Sequence, residues 1–222
     1  MDGYALVCIE KMGLGHLCGA KAVATDETRV REVFTDDELN GEYAGYIRDS
    51  YHMGFSSRYV LEPLSKDTRV LADMTSIYGD YIGPCQTAYR NELGGLVVVS
   101  GYNPWRYTWS IEKRAQLLNI FEHMTPEGLP VYIEDCLAVV PFARMSADKR
   151  NMALTLMSAT LDSTEEFDVV LRVKGIPHIY CVADNGEAIE MQAQYTKNGV
   201  KVRVPNIAPY DKFIILASEK PL

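Results

Sequence analysis

The stretch Leu93–Trp105, LGGLVVVSGYNPW, decides how the first half of this chain is interpreted. Within it, Leu96–Val99 is a continuous apolar run that Ser100 closes, and GYNPW follows at residues 101–105. An apolar run without polar alternation is typical of a strand covered on both faces, as in the interior of a parallel or mixed sheet. We therefore predict a core strand that ends at Ser100 and continues into a loop.

The segment after this loop has the pattern of an amphipathic helix. Ser110 is placed to accept a hydrogen bond from the free N–H groups of the first helical turn, and TPEG at residues 125–128 ends the helix. The apolar residues at spacings of four and three, which define the predicted buried face, are Ile111, Ala115, Leu118 and Phe121. Strand, loop and helix together predict that residues 1–128 form an incomplete α/β or α+β domain.

The residues before this stretch predict one helix and several strands. Gly3–Leu17 has apolar residues at roughly helical spacing, and glycines end the pattern. A phosphate-binding glycine loop follows a strand, so GLG at residues 13–15 is better explained as a helix C-terminus with a left-handed glycine. SRYVLEPL (57–64) and TRVLADMTSIY (68–78) predict antiparallel strands.

The pattern changes at Leu129. The rest of the chain consists of short β-rich runs separated by turn signals such as DNG at residues 184–186. In NGVKVRVP (198–205), valines alternate with Lys201 and Arg203, as expected of a strand with one buried face. We predict that residues 129–222 form a second domain with the fold of an antiparallel β-sandwich.

The amino-acid composition restricts the kinds of molecule that this chain is expected to bind. The 222 residues carry 22 Lys+Arg and 30 Asp+Glu, a formal charge of −8, and contain no basic run, which argues against nucleic acid as a partner. No apolar stretch approaches the roughly 18–20 residues that span a bilayer. No basic leader followed by an apolar block is present, so we expect neither a membrane segment nor a secretory signal.

The cysteines and histidines predict no metal site, and we expect no cofactor. The five cysteines stand at wide spacing without a C-x-x-C motif: Cys8, Cys18, Cys85, Cys136 and Cys181. An odd number of scattered cysteines is typical of reduced thiols and predicts a cytoplasmic location. The four histidines also lie far apart in the sequence.

Aromatic residues crowd the end of the valine-rich strand, which is where open α/β sheets bind ligands. Flat aromatic faces suit the apolar faces of sugar rings, and amide or guanidinium groups can bond sugar hydroxyls. The predicted carbohydrate-binding residues are Tyr102, Asn103, Trp105, Arg106 and Trp109. The alternative, which the sequence favours, is that these aromatics pack a domain junction or another buried interface.

The sequence assigns no catalytic residue. Cys85 follows a bend at Gly83-Pro84, but a thiol needs a neighbouring base or a helix N-terminus to become a nucleophile. Two carboxylates that hydrolyse a glycoside must face each other across a pocket, and the acidic residues here fall mostly in turns. A small hydrolase or amidase that uses Cys85 or such a pair is an alternative.

Several segments resemble known proteins. Asp2–Val23, DGYALVCIEKMGLGHLCGAKAV, resembles the segment after the glycine-rich turn in glutamine-amidotransferase-like domains of glycoside hydrolases. The matching positions are Asp2, Ala5, Ile9, Gly13, Leu14, Gly15 and Gly19, with Ile9 in place of a leucine. REVFTDDELNGEYAGY (31–46), GPCQTAYRNELGGLVVVSGYNPW (83–105) and NIAPYDKFIILAS (206–218) are similar to the C-terminal part of bacterial glycoside hydrolases.

The resemblance implies that this chain is the C-terminal region of a carbohydrate-active glycoside hydrolase. The catalytic domain, and the first strands of the amidotransferase-like domain, would lie upstream of Met1. The region itself would be a non-catalytic accessory that packs against the catalytic domain or supports a homo-oligomer, with carbohydrate contact as an additional role. A carbohydrate-binding module is the further alternative.

Overall fold

The computed structural model of the protein describes residues 1–25, 30–49, 59–108, 110–125, 128–133, 135 and 137–222. The chain divides into two compact units, Met1–Pro126 and Glu127–Leu222, which we call unit 1 and unit 2. Each unit has its own clusters of buried apolar residues. We therefore describe each unit by itself.

Unit 1 consists mainly of antiparallel strands. Within the described residues of unit 1, the α-helices are α1 (Gly3–Lys11) and α2 (Ile111–Met124), and the 3₁₀ helices are Gly15–Cys18, Glu38–Tyr43 and Pro104–Tyr107. Its strands are β1 (Ala20–Ala24), β2 (Val30–Phe34), β3 (Ile47–Asp49), β4 (Tyr59–Pro63), β5 (Arg69–Ser76), β6 (Tyr81–Arg90) and β7 (Leu96–Ser100). Strands β1 and β4 pair with each other, and the other five form one sheet in the order β3-β2-β5-β6-β7.

The prediction of an α/β or α+β N-terminal part is wrong. Every strand pair in unit 1, within the described residues, is antiparallel, and the helices are few. Strand β7 was expected inside a parallel or mixed layer. It lies instead at the edge of the five-stranded sheet, antiparallel to β6, and on its outer side the Ser100 N–H donates to the Met1 carbonyl at 3.0 Å.

The continuous apolar run of β7 has a different cause from the one predicted. On one face, Leu96 and Val98 pack with a cluster that includes Ile120 of α2. On the other face, Val97 and Val99 pack with a cluster that includes Leu6 of α1 and residues of β1 and β4. Both faces of an antiparallel edge strand are therefore covered, and this covering alone removes the polar alternation.

Helix α2 is present, but the predicted buried face is wrong. Ser110 caps it as expected, accepting from the Lys113 N–H at 3.4 Å. The residues that the fold buries are Lys113, Gln116, Leu117 and Ile120, whereas Ile111 is 63% exposed. The spacing of apolar residues predicted the wrong face because the face that is actually buried includes two polar residues, Lys113 and Gln116.

Helix α1 begins at Gly3, as predicted, and ends at Lys11 rather than at Leu17. The Asp2 carboxylate caps it by accepting from the Ala5 N–H at 2.9 Å. Gly13 follows with φ of +78°, which confirms the predicted helix C-terminus with a left-handed glycine. Among the described residues, no helix has the length and apolar character needed to cross a membrane.

Unit 2 is built from two antiparallel sheets around one core. Its strands are β8 (Val131–Ile133), β9 (Val139–Met145), β10 (Met152–Ser158), β11 (Phe167–Leu171), β12 (His178–Val182), β13 (Ala188–Glu190), β14 (Ala193–Thr196), β15 (Gly199–Val204) and β16 (Lys212–Ser218). The sheet orders are β13-β12-β16-β10-β9 and β14-β15-β11-β8.

The sheets of unit 2 contribute jointly to the core. Leu154 of β10, Val169 of β11 and Ile215 of β16 are each fully buried in the same apolar cluster. In β15, the three valines of the predicted alternating strand are buried, while Lys201 and Arg203 form ion pairs with Asp168. This is the alternation that a half-buried strand requires.

Among the described glycines of unit 1, Gly19 is the one whose replacement we expect to cost most. Its φ is +68°, and an added Cβ would lie 2.2 Å from Cγ of the Tyr89 ring. Gly94 has a similar φ of +82° with nothing within 4 Å of an added Cβ, so it is a matched control. Gly94→Ala should lose only the left-handed backbone preference, about 1–2 kcal/mol, and Gly19→Ala about 1–3 kcal/mol more through overpacking.

Urea unfolding followed by tryptophan fluorescence measures this difference. Both tryptophans of the chain, Trp105 and Trp109, belong to unit 1, so their emission reports the unfolding of that unit. Equal losses for the two alanine variants would show that the Tyr89 ring moves aside without cost, contrary to this expectation.

Candidate functional site

The loop after β7 carries the aromatic residues that the sequence singled out. Pro104–Tyr107 forms a 3₁₀ helix, and Asn103 caps it by accepting from the Trp105 N–H at 3.1 Å. Tyr102 and Tyr107 point inward and are buried, with their rings in edge-to-face contact at 5.5 Å. Asn103, Trp105 and Arg106 are exposed. The loop therefore presents three of the predicted contact residues to solvent.

These residues border two separate concavities of about 290 Å³ each. The first, which we call the polar concavity, is lined by Asp2, Gly3, Tyr4, Tyr59, Gly101, Tyr102, Asn103, Arg106 and Tyr107. The second, which we call the Trp105 groove, is lined by Met1, Asp2, Gln86, Leu96, Val97, Val98, Ser100, Pro104, Trp105, Leu117, Ile120, Phe121 and Met124. The predicted site is thus divided by its own loop, and Trp109 lies outside the described residues.

Trp105 forms a flat platform at the edge of its groove. Its ring stacks on Phe121 of α2, with centroids 5.7 Å apart and planes 15° from parallel. The Trp105 residue nevertheless stays 59% exposed. A ring held by stacking on one side and open on the other can receive the apolar face of a ligand at small entropic cost.

A buried charge cluster lies beneath the loop. The Glu32 carboxylate, fully buried on β2, accepts from Lys113 Nζ at 2.7 Å, from Arg48 Nε at 2.7 Å and from the Tyr102 hydroxyl. Lys113 also donates to the Gln116 side chain at 2.6 Å. This one carboxylate joins the sheet, helix α2 and the loop, and so it fixes where the loop sits.

Burial and the neighbouring opposite charges act in opposite directions on the pKa values of this cluster. Burial by itself raises the pKa of Glu32, but the Lys113 ammonium, the Arg48 guanidinium and the hydrogen bonds that Glu32 accepts outweigh it, so the pKa lies below its ordinary value of 4.5. Burial lowers the pKa of Lys113, and Glu32 opposes that shift. Burial and the Glu32 charge raise the pKa of Tyr102 well above its ordinary range, so the phenol stays a hydrogen-bond donor.

Cys85 has the properties of a core thiol. It is fully buried in a cluster with Phe34, Met74 and Tyr102. Burial first, and then the Glu32 charge, raises the pKa of Cys85 well above its ordinary range. A nucleophilic cysteine needs the opposite shift and access to a substrate.

Sequence reasoning missed the charge cluster. Glu32 stands in a segment with no clear period, and its three partners are 16, 70 and 81 residues away along the chain. The one local signal was in α2, where Lys113 and Gln116 share a stripe with Leu117 and Ile120. Among the described residues, no group of three His, Cys, Asp or Glu side chains is arranged to hold a metal ion.

Comparison with known proteins places the fold. No protein-family model matches the sequence, and no curated protein matches it either. Among solved structures, α-L-fucosidase isoenzyme 2 from Paenibacillus thiaminolyticus is similar, with a TM-score of 0.57 at 12% sequence identity over 92% of this chain. The chain therefore shares a fold with part of that fucosidase structure.

The similarity covers only part of the fucosidase and is low in sequence identity. The match covers 34% of the fucosidase chain, so this chain spans about a third of the length of that structure. At 12% identity, the similarity shows the fold alone and does not support the amidotransferase-like interpretation of Asp2–Val23. The similarity therefore does not assign the fucosidase's activity to this chain.

Glu32→Gln should destabilise unit 1 by about 3–5 kcal/mol, because it leaves Lys113 and Arg48 buried without a counter-charge. Lys113→Met should cost less, since it leaves a neutral Glu32–Arg48 pair. Urea unfolding followed by tryptophan fluorescence compares them. If Lys113→Met costs as much as Glu32→Gln, the carboxylate is not the centre of the cluster.

Acid unfolding gives a second measurement of the same carboxylate. The folded pKa of Glu32 lies below the ordinary value of 4.5. Its contribution to stability is therefore present above that ordinary value and is lost as the pH falls through the folded pKa. Below pH 4.5, the unfolding free energy of the wild-type protein should fall more steeply than that of Glu32→Gln.

Thiol labelling tests the assignment of Cys85 to the core. In the native protein at neutral pH, iodoacetamide should modify exposed Cys8 and leave Cys85 unmodified until urea unfolds unit 1. Mass spectrometry of the digested protein separates the two sites. Labelling of Cys85 at the rate of Cys8 would restore the thiol as a candidate nucleophile.

Proposed function

We propose that this chain is a carbohydrate-contacting accessory region of a glycoside hydrolase, which works beside a catalytic domain. The observation that carries the proposal is the fold similarity to α-L-fucosidase isoenzyme 2 over 92% of the chain. The catalytic domain is the proposed partner, and self-association into a homo-oligomer remains a prediction. Within the proposal, the polar concavity supplies the sugar contact.

The chemistry of the polar concavity supports sugar contact. The Asn103 side-chain oxygen is used in the 3₁₀ cap, which leaves the amide N–H₂ group to donate to a sugar hydroxyl. Arg106 is exposed beside it and carries further N–H donors. Tyr4, 70% exposed, adds an aromatic face. Donors next to an aromatic ring match a ring that has hydroxyls at its edge and C–H groups on its face.

The buried charges support an accessory role rather than a catalytic one. Glu32, Lys113 and Arg48 lie close to the loop, yet they form ion pairs with one another in the buried interior beneath it. Cys85 is buried with a raised pKa. The contacts of the three charged groups link the loop to the sheet and to α2, which is a structural role.

Saccharide titration tests the sugar contact. We expect the protein to bind one or more of L-fucose, D-galactose, D-glucose and D-xylose, presented as methyl glycosides, in isothermal titration calorimetry. Asn103→Ala and Arg106→Ala should each weaken binding about tenfold, the worth of roughly one hydrogen bond. Arg144→Ala, an exposed arginine of unit 2, is the control and should bind as the wild type does. Heats that stay at the dilution level for all sugars would overturn the sugar contact.

A hydrolysis assay tests the accessory role. Incubated with the 4-nitrophenyl glycosides of the same sugars, the chain should release nitrophenol no faster than buffer does. Turnover that scales with protein concentration and survives repurification would instead assign a reaction to this chain.

A further inference from the structure

We infer that the Trp105 groove is a second sugar subsite next to the polar concavity, so that the ligand is an oligosaccharide of at least two rings. This inference rests on the proposed function and extends it from a single ring to a chain. It adds Gln86, a residue that sequence reasoning did not select, to the binding residues.

The groove has the size and walls of a small-molecule site. Its volume of about 290 Å³ lies at the lower end of the range for such sites. Leu117 and Phe121 of α2 form one wall, and Val98 of β7 contributes to the other. The stacked and exposed Trp105 ring stands at its edge. These are the surfaces that cover the apolar face of a ring.

Gln86 favours a ligand that can donate a hydrogen bond inside the groove. The residue is fully buried on β6, and its amide nitrogen donates to Ser100 Oγ at 3.1 Å. Its amide oxygen has no hydrogen-bond partner among the described residues. A buried acceptor without a donor costs free energy. A purely apolar ligand would leave Gln86 unpaired, whereas a hydroxyl-bearing ring brings the missing donor.

The two concavities are adjacent. Asp2 lines both of them, and the exposed residues of the loop are divided between the two linings. Asn103 and Arg106 face the polar concavity, and Trp105 faces the groove. Two rings joined by one glycosidic bond are the simplest ligand that places a ring on each side of this loop.

Chain length is the direct test. Calorimetry on the full chain compares D-glucose with cellobiose and cellotriose, D-xylose with xylobiose and xylotriose, and D-galactose with lactose. In the series that binds, we expect the disaccharide to bind about tenfold more tightly than the monosaccharide. Where a trisaccharide is available, it should gain little more.

Variants assign that gain to the groove. Gln86→Leu and Trp105→Ala should each remove the disaccharide gain, so that in these variants the disaccharide binds no more tightly than the monosaccharide does. Leu118→Ala, on an exposed position of α2 that does not line the groove, is the matched control and should keep the gain. Trp105 is exposed, so its variant is informative even if Gln86→Leu does not fold.

The outcomes separate the two proposals. If monosaccharides bind with the expected Arg106 dependence and disaccharides bind no better, the second subsite is wrong and the proposed function stands. A gain that persists in Trp105→Ala and Gln86→Leu places the second ring elsewhere and also overturns the inference. If no saccharide binds, both fail. Weak binding of monosaccharides that only Trp105→Ala abolishes would assign the first ring to the groove and overturn the two-ring arrangement.

Discussion

The interaction on which unit 1 depends is the buried Glu32 carboxylate with its three hydrogen-bond donors. Lys113 comes from helix α2, Arg48 from strand β3, and the Tyr102 hydroxyl from the loop after β7. Because a buried carboxylate is tolerated only when it is fully compensated, these elements have to meet at this point. The cluster therefore specifies where α2 and the loop lie relative to the sheet.

Because of this arrangement, the charged residues near the loop have a structural role. Groups that could act as acid, base or nucleophile in an open cleft here neutralise one another in the core. The residues that the loop exposes to solvent are Asn103, Trp105 and Arg106, and the neighbouring Tyr102 is buried and anchored to Glu32. The loop thus presents hydrogen-bond donors and an aromatic ring, and the proposed accessory role rests on these side chains together with the fold similarity to α-L-fucosidase isoenzyme 2.

Several features could be predicted from the sequence because local chemistry dictates them. Ser110 caps α2, glycine ends α1, and the valines of β15 alternate with charged residues, each by rules that act over a few residues. The antiparallel character of unit 2 follows similarly from regularly spaced turn signals. The aromatic loop was also visible in the sequence, although its division between two concavities was not.

The sequence by itself determined strands β4, β5 and β7, the short strands of unit 2, the Ser110 cap of α2 and the chemistry of the loop residues. Only the tertiary structure decided that β7 is an antiparallel edge strand, because an apolar run records that both faces are covered and not which elements cover them. It also decided that α2 buries Lys113 rather than Ile111, because the partner of Lys113 lies 81 residues away along the chain. Such a pair leaves no local period in either segment, so the charge that organises unit 1 could be recognised only after folding had brought the two side chains together.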